Sequence, residues 1–583
     1  MKNKRWLSLI VVAVLLLSLA ACQPAKPPTE SEKVTPQATP TGTDKPVTPT
    51  GTDKPAETPE PTPSGPPPRK GITLTLGLRK NVHVEDYDTN AFTRWLEEQS
   101  GLDLDFMLFA SDTAESATQL ATMMSGNEKL PDLLLSIGNL TVAKTIELGK
   151  DGYFVDLKDY LDKSTHFKAG LAALTEAQQK KLMTIGADPV TGAIYAAPSF
   201  SSARDSIDAP FAMGRINDEW LKKLNLKKPS NPDELYDVLV AFRDKDPNGN
   251  GKADEIPALG SIALYRADIV SWLLNGFVHI NNSHGYALNI TDGKVWSPYV
   301  TDEFREGLRY VRKLVANNLL AEQTFVISKT DEYRGIICPA DGSAVVGLVA
   351  MHPTLHVVKE NERLFEYAPI MPFKYAPFAA DTYSYPTIIT ADCQHPDEAF
   401  ALIDLSYTLG CSIRSRFGEF GVNWDWAKPG EKDARGKDAV IRTMPENGAV
   451  WGAQTNQTWS AGSFPSLPKD RAGAFTNDNS LTARRVILMN QYLDEYIAYA
   501  ATHSMKEIAV TTELVHTEEE LTKKEKIAPD ISKYIKKSIA EFCTGVLDLD
   551  RDWDAYLATL EGLGQKDWVA IMQAGYTRVM GGK

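Results

Sequence analysis

The sequence of 583 residues lacks the short motifs that identify the commonest catalytic and metal sites. It contains no CxxC and no HExxH motif, so a zinc site has no sequence support. It also contains no GxSxG motif and no phosphate-binding glycine loop. These absences remove the motif-based arguments for a zinc enzyme, a nucleophile-elbow hydrolase and a nucleotide-binding protein. A glycosidase stays open, because two suitably spaced carboxylates suffice for one.

Basic residues are fewer than acidic ones, and cysteines are scarce. Lys and Arg number 62 against 76 Asp and Glu, which gives a formal net charge of -14. Because phosphate binding needs a basic face, nucleic acid is not expected as a partner. The cysteines are Cys22, Cys338, Cys393, Cys411 and Cys543. They are too few and too widely spaced for a disulfide scaffold, and the last four are expected to be small buried residues.

The first 21 residues have the layout of an export signal. Lys2, Lys4 and Arg5 precede an apolar run from Leu7 to Leu19, which is shorter than the roughly 20 residues of a membrane span. The following Leu-Ala-Ala-Cys quartet resembles a bacterial lipobox, which implies cleavage before Cys22 and attachment of lipid to its thiol. Loss of the signal would change the net charge to -17 (-14 minus 3). The prediction is a protein anchored by lipid on the outer face of the cell membrane; the alternative is an ordinary cleaved signal.

Residues 22–71 are predicted to be a disordered linker. From residue 23 to 70 the chain has fourteen prolines and no aromatic residue, and it repeats the sequence PTGTDKP. Such a composition cannot bury enough apolar surface to fold. At about 3.1 Å per residue, a proline-rich segment of this length spans up to roughly 150 Å.

The folded part begins at Ile72. Apolar residues alternate with Thr and Gly from Ile72 to Leu78, which predicts a strand, and helical and strand patterns then alternate up to Ser136. This order predicts an α/β fold with a mostly parallel sheet. Ligands bind at the carboxyl ends of such strands, here the loops 79–88 and 136–139. The chain is also too long for one core, so two lobes are expected.

Several phrases resemble the extracellular solute-binding proteins of ABC transporters, in particular the large lipoproteins that capture oligosaccharides. These phrases are residues 130–135 (LPDLLL), 152–157 (GYFVDL), 192–198 (GAIYAAP), 217–221 (NDEWL), 416–424 (RFGEFGVNW) and 552–556 (DWDAY). The resemblance implies a periplasmic-binding-protein-like fold of two α/β lobes, joined by a hinge, with the ligand in the cleft between them. The first lobe is expected to comprise mainly residues 72–200 and 350–470, and the second 201–349 and 471–583. A monomer that delivers its ligand to ABC permease subunits is expected.

A loop rich in Asp, Asn and Gly at residues 244–255 predicts a structural Ca²⁺ site, since Ca²⁺ takes six to eight oxygen ligands. In an EF-hand register, Asp244 is the first ligand. In a shorter register, which resembles the calcium loop of alginate-binding relatives, the ligands are Asp246, Asn248, Asn250, the Lys252 carbonyl, Asp254 and Glu255. The second register is preferred, because Gly251 stands where an EF-hand has a hydrophobic residue. The alternative is a solvated surface turn.

Sugar sites pair aromatic platforms with short polar side chains and carboxylates. The aromatic candidates, chosen from segments that resemble loops or element ends, are Trp272, Tyr383, Tyr385, Trp424, Trp451 and Trp459. The polar candidates, chosen from loop positions, are Asn139, Asp86, Asp381 and Arg204. The sequence therefore predicts a binding protein without catalytic residues. A lipid-anchored carbohydrate hydrolase is the alternative, and a surface adhesion protein is a third reading.

Overall fold

The structure is a computed structural model that describes residues 70–581 with internal gaps. The residues outside the description are 1–69, 138–139, 202–213, 281–286, 358–360, 377–381, 434–435, 437, 445–454, 460–463, 466–480, 504–513, 515 and 582–583. The predicted signal, Cys22 and almost all of the predicted linker lie outside the described residues. The same holds for four predicted ligand residues, namely Asn139, Arg204, Asp381 and Trp451.

Strands and helices alternate along the first part of the chain, as predicted. The strands are β1 (Thr73–Arg79), β2 (Asp103–Phe109), β3 (Leu133–Leu135), β4 (Ala197–Ser201), β5 (Gly214–Asn217), β6 (Ile256–Leu259), β7 (Asn289–Thr291), β8 (Lys294–Trp296), β9 (Val346–Ala350), β10 (Tyr367–Pro369), β11 (Thr382–Ile389), β12 (Trp424–Trp426) and β13 (Ile441–Thr443). The helices are α1 (Ala91–Ser100), α2 (Thr113–Ser125), α3 (Val142–Lys150), α4 (Lys158–Lys163), α5 (His166–Ala172), α6 (Glu176–Ile185), α7 (Asp218–Lys223), α8 (Pro232–Asp244), α9 (Ile269–Leu274), α10 (Asp302–Ala316), α11 (Thr330–Ile337), α12 (Pro353–His356), α13 (Pro396–Ser406), α14 (Leu409–Phe417), α15 (Leu481–His503), α16 (Glu518–Thr544), α17 (Trp553–Gly562) and α18 (Gln565–Gly581). Short 3-10 helices lie at Pro298–Val300, Glu322–Phe325 and Arg363–Glu366.

The first sheet has the strand order β2-β1-β3-β11-β4. Strand β1 runs parallel to β2 and β3, while β11 is antiparallel to β3 and β4. The alternation in β1 buries Leu74, Leu76 and Leu78 almost completely. Helix α1 begins at Asn90, whose side chain accepts the Phe92 N–H, and ends at a glycine in the left-handed conformation. The strand and helix pattern predicted for residues 72–136 is therefore confirmed.

The second sheet has the strand order β10-β5-β9-β6. Strands β6 and β9 are parallel, and β5 is antiparallel to both β9 and β10. Helices α8, α9, α10, α16, α17 and α18 contribute most of the large hydrophobic core on this sheet. Their amphipathic spacing explains this packing: Leu235, Val238, Leu239 and Phe242 of α8 are buried on one face.

Each sheet has its own hydrophobic core. The core of the first sheet comes from residues 74–200 and 383–459, and that of the second from 216–370 and 531–572. Along the described chain, the backbone therefore passes from one core to the other three times, through connections that contain residues 202–213, 377–381 and 466–480. Residues 351–357 and 361–369 lie with the second sheet, although the first lobe was expected to resume near 350. The reason is that β10 pairs with β5, and Tyr367 packs in one cluster with Leu259.

The four cysteines within the described residues are all buried and form no disulfide with one another, as expected from their spacing. They are Cys338, Cys393, Cys411 and Cys543. No helix in the described part of the chain combines the length and the apolar character that crossing a membrane requires.

Candidate functional site

The carboxyl ends of β1, β2 and β3 meet at one edge of the first sheet, because these strands are parallel. Arg79, the last residue of β1, donates a hydrogen bond from Nη1 to Thr113 Oγ1 at 2.5 Å. The following loop carries the predicted residue Asp86, which is exposed. Its carboxylate accepts the Thr89 N–H at 2.8 Å, and hydrogen bonds from Thr89 lower the pKa of Asp86. Asp86 thus stays ionised and reaches solvent at the edge where a ligand is expected.

The carboxyl ends of β6 and β9 meet in the same way at the second sheet. The loop after β6 presents Tyr265, whose side chain is 57% exposed. The guanidinium of Arg266 lies 4.9 Å from the centre of that ring, and the His352 ring lies 6.3 Å away. Arg266 has a φ of 61°, a conformation that bulky residues rarely adopt. An exposed ring beside two nitrogen-bearing side chains matches the chemistry of a sugar platform.

Tyr265 was missed in the sequence analysis. Its position in the loop that follows a short parallel strand is the signal that could have identified it, but β6 comprises only four residues. The residues predicted from the sequence are instead tryptophans and the segment of Tyr383 and Tyr385.

The structure buries the predicted tryptophans that it describes. Trp272 in α9 is 1% exposed, and Trp424 and Trp459 are each 3% exposed. The indole N–H of Trp424 donates to the Gly418 carbonyl at 2.8 Å, and that of Trp459 donates to Thr93 Oγ1 at the same distance. Packing accounts for the positions of all three rings, and their role as ligand contacts stays a prediction.

Tyr383 and Tyr385 lie in β11 of the first sheet. Tyr383 is 8% exposed, and Lys181 Nζ lies 5.1 Å from the centre of its ring. The Tyr385 hydroxyl donates to the Leu182 carbonyl at 2.5 Å, and burial raises its pKa. Both residues contact the same hydrophobic cluster as Trp459, whereas Trp272 lies in the core of the second sheet. The predicted aromatics therefore do not form one continuous group among the described residues.

The loop at residues 246–255 is folded around its own acidic side chains. Asp246 has a φ of 44°, and its carboxylate accepts the backbone N–H groups of Gly249, Asn250 and Gly251 at 2.9 to 3.1 Å. The side chain of Asp244 instead pairs with Arg243 at 2.7 Å. The Asp244 carboxylate, which would be the first ligand of the EF-hand register, is therefore already paired with a cation. The geometry supports the shorter register, which begins at Asp246.

Oxygen-bearing side chains converge at the end of this loop. The amide groups of Asn248 and Asn250 both donate to Asp254, at 2.9 and 3.0 Å, and these hydrogen bonds lower the pKa of Asp254. The Oδ1 atoms of the same two amides accept the backbone N–H groups of Asn250 and Lys252, at 2.9 and 2.8 Å. Lys252 is exposed and has only its carbonyl to offer as a ligand.

Glu255 is the most informative member of the loop. Both of its carboxylate oxygens are buried and accept no hydrogen bond from the part of the chain that is described. Burial is the main cause of the raised pKa of Glu255; the nearby backbone N–H groups of Glu255 and Asn248 oppose it, and the carboxylates of Asp246 and Asp254 add to it. A buried carboxylate beside two others, with no donor, is what a Ca²⁺ ion would compensate. Residues 246–255 therefore fit the ion, although the described residues contain no cluster of three His, Cys, Asp or Glu side chains suited to a metal.

Comparison with known proteins identifies relatives over nearly the whole folded chain, although no family model matches. The fructooligosaccharide ABC transporter substrate-binding protein FusA of Streptococcus pneumoniae serotype 4 is 26% identical over 534 residues, which are 88% of this chain and 93% of FusA. A solved structure of a FusA EF-hand mutant with fructo-nystose has a TM-score of 0.67 and 23% identity, and covers 88% of this chain and 100% of that one.

Two further solved structures share the fold. An HMO-binding solute-binding protein from Bifidobacterium longum infantis has a TM-score of 0.70 at 20% identity, covering 87% of this chain and 98% of its own. Alginate-binding protein AlgQ2 without calcium ion has a TM-score of 0.58 at 22% identity, with the same coverage of 87% and 98%. These similarities confirm the predicted resemblance to solute-binding proteins of ABC transporters and the predicted α/β fold class.

Proposed function

We propose that this chain, a solute-binding protein of the ABC-transporter type, captures an oligosaccharide outside the cell and delivers it to a membrane permease. The observation that carries this proposal is the similarity to 93% of the length of FusA, a protein whose name describes fructooligosaccharide transport. The ligand would contact both lobes. It would favour the closed form of the protein because it binds that form more tightly than the open form. The chain would act as a monomer, without nucleic acid and without changing its ligand chemically.

The carboxyl edges of the two sheets are the proposed ligand surfaces. Tyr265 supplies an exposed ring at the second sheet, and Asp86 supplies an exposed carboxylate at the first. An aromatic face packs against the apolar C–H face of a sugar, while a carboxylate accepts its hydroxyl groups. The predicted aromatics Trp272, Tyr383 and Tyr385 stay candidates, and the variant Trp272→Ala in the Discussion separates a ligand contact from a core residue at the first of them.

Calcium binding is a second part of the proposal. Asp246, Asn248, Asn250, the Lys252 carbonyl, Asp254 and Glu255 would hold the ion, and the unpartnered carboxylate of Glu255 supports this donor set. The solved structures of a FusA EF-hand mutant and of AlgQ2 without calcium ion agree with such a site in similar proteins. The ion would fix the connection between α8 and β6 and take no part in catalysis.

Membrane attachment through lipid on Cys22 completes the proposal. The sequence alone supports it, through the basic start, the apolar run and the Leu-Ala-Ala-Cys quartet. Residues 22–71 would then hold the binding domain away from the membrane, on its outer face.

Tyr265 offers a direct test of the proposed ligand surface. In calorimetric titrations with fructo-nystose, we expect Tyr265→Ala to weaken binding about tenfold, which corresponds to about 1.4 kcal/mol. Tyr265→Phe should bind nearly as tightly as the unaltered chain, because it keeps the ring. Neither change should move the melting midpoint by more than about 2 °C, because the side chain is largely exposed.

Val326→Ala is the matched control, since Val326 is 74% exposed and belongs to no proposed site. Unchanged affinity in Tyr265→Ala would remove Tyr265 from the ligand surface. Absence of binding to every oligosaccharide tested with the unaltered chain would contradict the proposed function itself.

A further inference from the structure

Arg215 is a charged residue inside the core of the second sheet. It is the second residue of β5, and its side chain is 0% exposed. Burial lowers the pKa of Arg215 to about 10, so the guanidinium stays charged at neutral pH. Among the described residues, no carboxylate forms an ion pair with it. A buried charge of this kind is costly unless other groups compensate it, so its contacts indicate what it does.

The guanidinium contacts two segments that are distant from it in sequence. Nη1 donates to the carbonyl oxygen of Tyr367 at 3.3 Å, and Nη2 donates to the carbonyl oxygen of Leu488. The guanidinium carbon also lies 5.3 Å from the centre of the Tyr492 ring. One side chain therefore joins strand β5 to strand β10 and to helix α15.

Each of these three elements adjoins a different connection between the two sheets. Strand β5 begins at Gly214, directly after residues 202–213. Strand β10 precedes residues 377–381, and helix α15 begins directly after residues 466–480. Arg215 thus lies in or contacts one element of the second sheet beside each of the three connections.

Trp272 packs against two of the same three ends. A Cβ added to Gly214 would lie 2.7 Å from Cε2 of the Trp272 ring, which shows how closely this ring covers the start of β5. The ring also contacts Phe373, which follows β10, with a centroid separation of 5.4 Å. The burial of Trp272 is explained by this position.

Helix α15 has additional contacts with the segment before β10. Arg484 forms an ion pair with Glu362, and Arg485 donates a hydrogen bond to the Val357 carbonyl. These contacts hold the first turns of α15 against the segment before β10. The hydrogen bond from Arg215 holds the same helix against β5. A hydrophobic side chain in place of Arg215 would fill the space but would leave the three elements without this common hydrogen-bonded centre.

We propose that Arg215 is a positioning residue for ligand capture, which holds the second-sheet ends of the three connections in one fixed arrangement. This role rests on the proposed function, because a ligand that contacts both sheets depends on where these connections start. Arg215 itself does not touch the ligand. Its effect on affinity is transmitted through the positions of β5, β10 and α15.

Hydrogen exchange and calorimetric titration with fructo-nystose test this role in the full chain. In Arg215→Met, we expect exchange to rise together in β5, in β10 and in residues 484–493, and the affinity to fall at least tenfold. Arg215→Lys should show an intermediate loss of affinity, because lysine keeps the charge but lacks the planar fork that reaches two carbonyls. It also serves as the second variant if Arg215→Met does not fold.

Leu560→Ala is the control for a general loss of stability, since Leu560 is 1% exposed in the same core and belongs to α17, which is none of the three elements that Arg215 joins. We expect it to lower the melting midpoint and to change the affinity less than twofold. The proposal is overturned if the Arg215 variants bind as tightly as Leu560→Ala, or if exchange rises in β5 alone. If the unaltered chain binds no oligosaccharide, the proposed function fails, and the exchange pattern still decides whether Arg215 links the three ends.

Discussion

The loop at residues 246–255 and the set of predicted aromatic residues differ in how far apart their members lie along the chain. The loop places six candidate ligands within ten residues, and its side chains converge on Asp254 and Glu255. The aromatics are spread from Trp272 to Trp459, and the members that the structure describes are mostly buried in separate clusters. A site that lies within one loop can be read from its local pattern, whereas a platform for a sugar is decided by tertiary packing.

The largest expected effect comes from Trp272. Because this side chain is 1% exposed, Trp272→Ala should lower the free energy of unfolding by about 3 to 5 kcal/mol. Urea denaturation followed by circular dichroism measures it, with Tyr265→Ala as the exposed counterpart. If Trp272→Ala unfolds like the unaltered chain but loses binding, Trp272 is a ligand contact and the contrast with the loop disappears.

Removal of calcium should have the next largest effect. A bound ion stabilises the folded chain by about 2.7 kcal/mol at a concentration of 100 times its Kd, so a chelator should lower the melting midpoint of the unaltered chain. In the presence of chelator, Glu255→Gln should melt at a higher temperature than the unaltered chain, because the change removes a buried, unpartnered charge. Added Ca²⁺ should raise the melting midpoint of this variant only slightly.

The pH dependence of the metal-free protein checks the same carboxylate. The folded pKa of Glu255 is raised above its ordinary value of 4.5, so the folded state binds the proton more tightly than the unfolded state does. The destabilisation from Glu255 is therefore fully present above the raised pKa and is relieved as the pH falls through it towards 4.5. Glu255→Gln should lack this component. A chelator without effect on the unaltered chain would count against the metal site.

The smallest expected effect is that of Lys252→Ala. Lys252 is exposed and would contribute only its carbonyl oxygen, so the side chain adds nothing to the donor set. Differential scanning calorimetry with and without Ca²⁺ should show the same shift as in the unaltered chain. A lost shift would mean that the ion is held by a different arrangement of the loop.

Much of the fold could be predicted from the sequence because its signals are local. The alternation of Leu74, Leu76 and Leu78 determines one buried face of β1, and the glycine at position 101 ends α1 with a φ of 70°. The calcium-like loop is similarly local. The limit near residue 350 could not be read in this way, because the placement of residues 361–369 depends on the pairing of β10 with β5, about 150 residues earlier in the chain.

The ligand surface was the hardest part to predict for the same reason. Trp272 follows a loop-like segment and resembles a platform, but the start of β5 and Phe373 cover its ring. Tyr265 lies seven positions before it and is exposed, because it lies in the loop that leaves β6. Burial at both positions depends on residues that are far away in sequence.

The central claim is that this chain binds an oligosaccharide and releases it unchanged. The direct test is to incubate the purified protein with a panel of oligosaccharides. The melting midpoint of the protein is then measured, and the sugars are analysed by chromatography. The account predicts that at least one oligosaccharide raises the midpoint and is recovered at its original length. Shortened products, or no shift with any oligosaccharide, would contradict it.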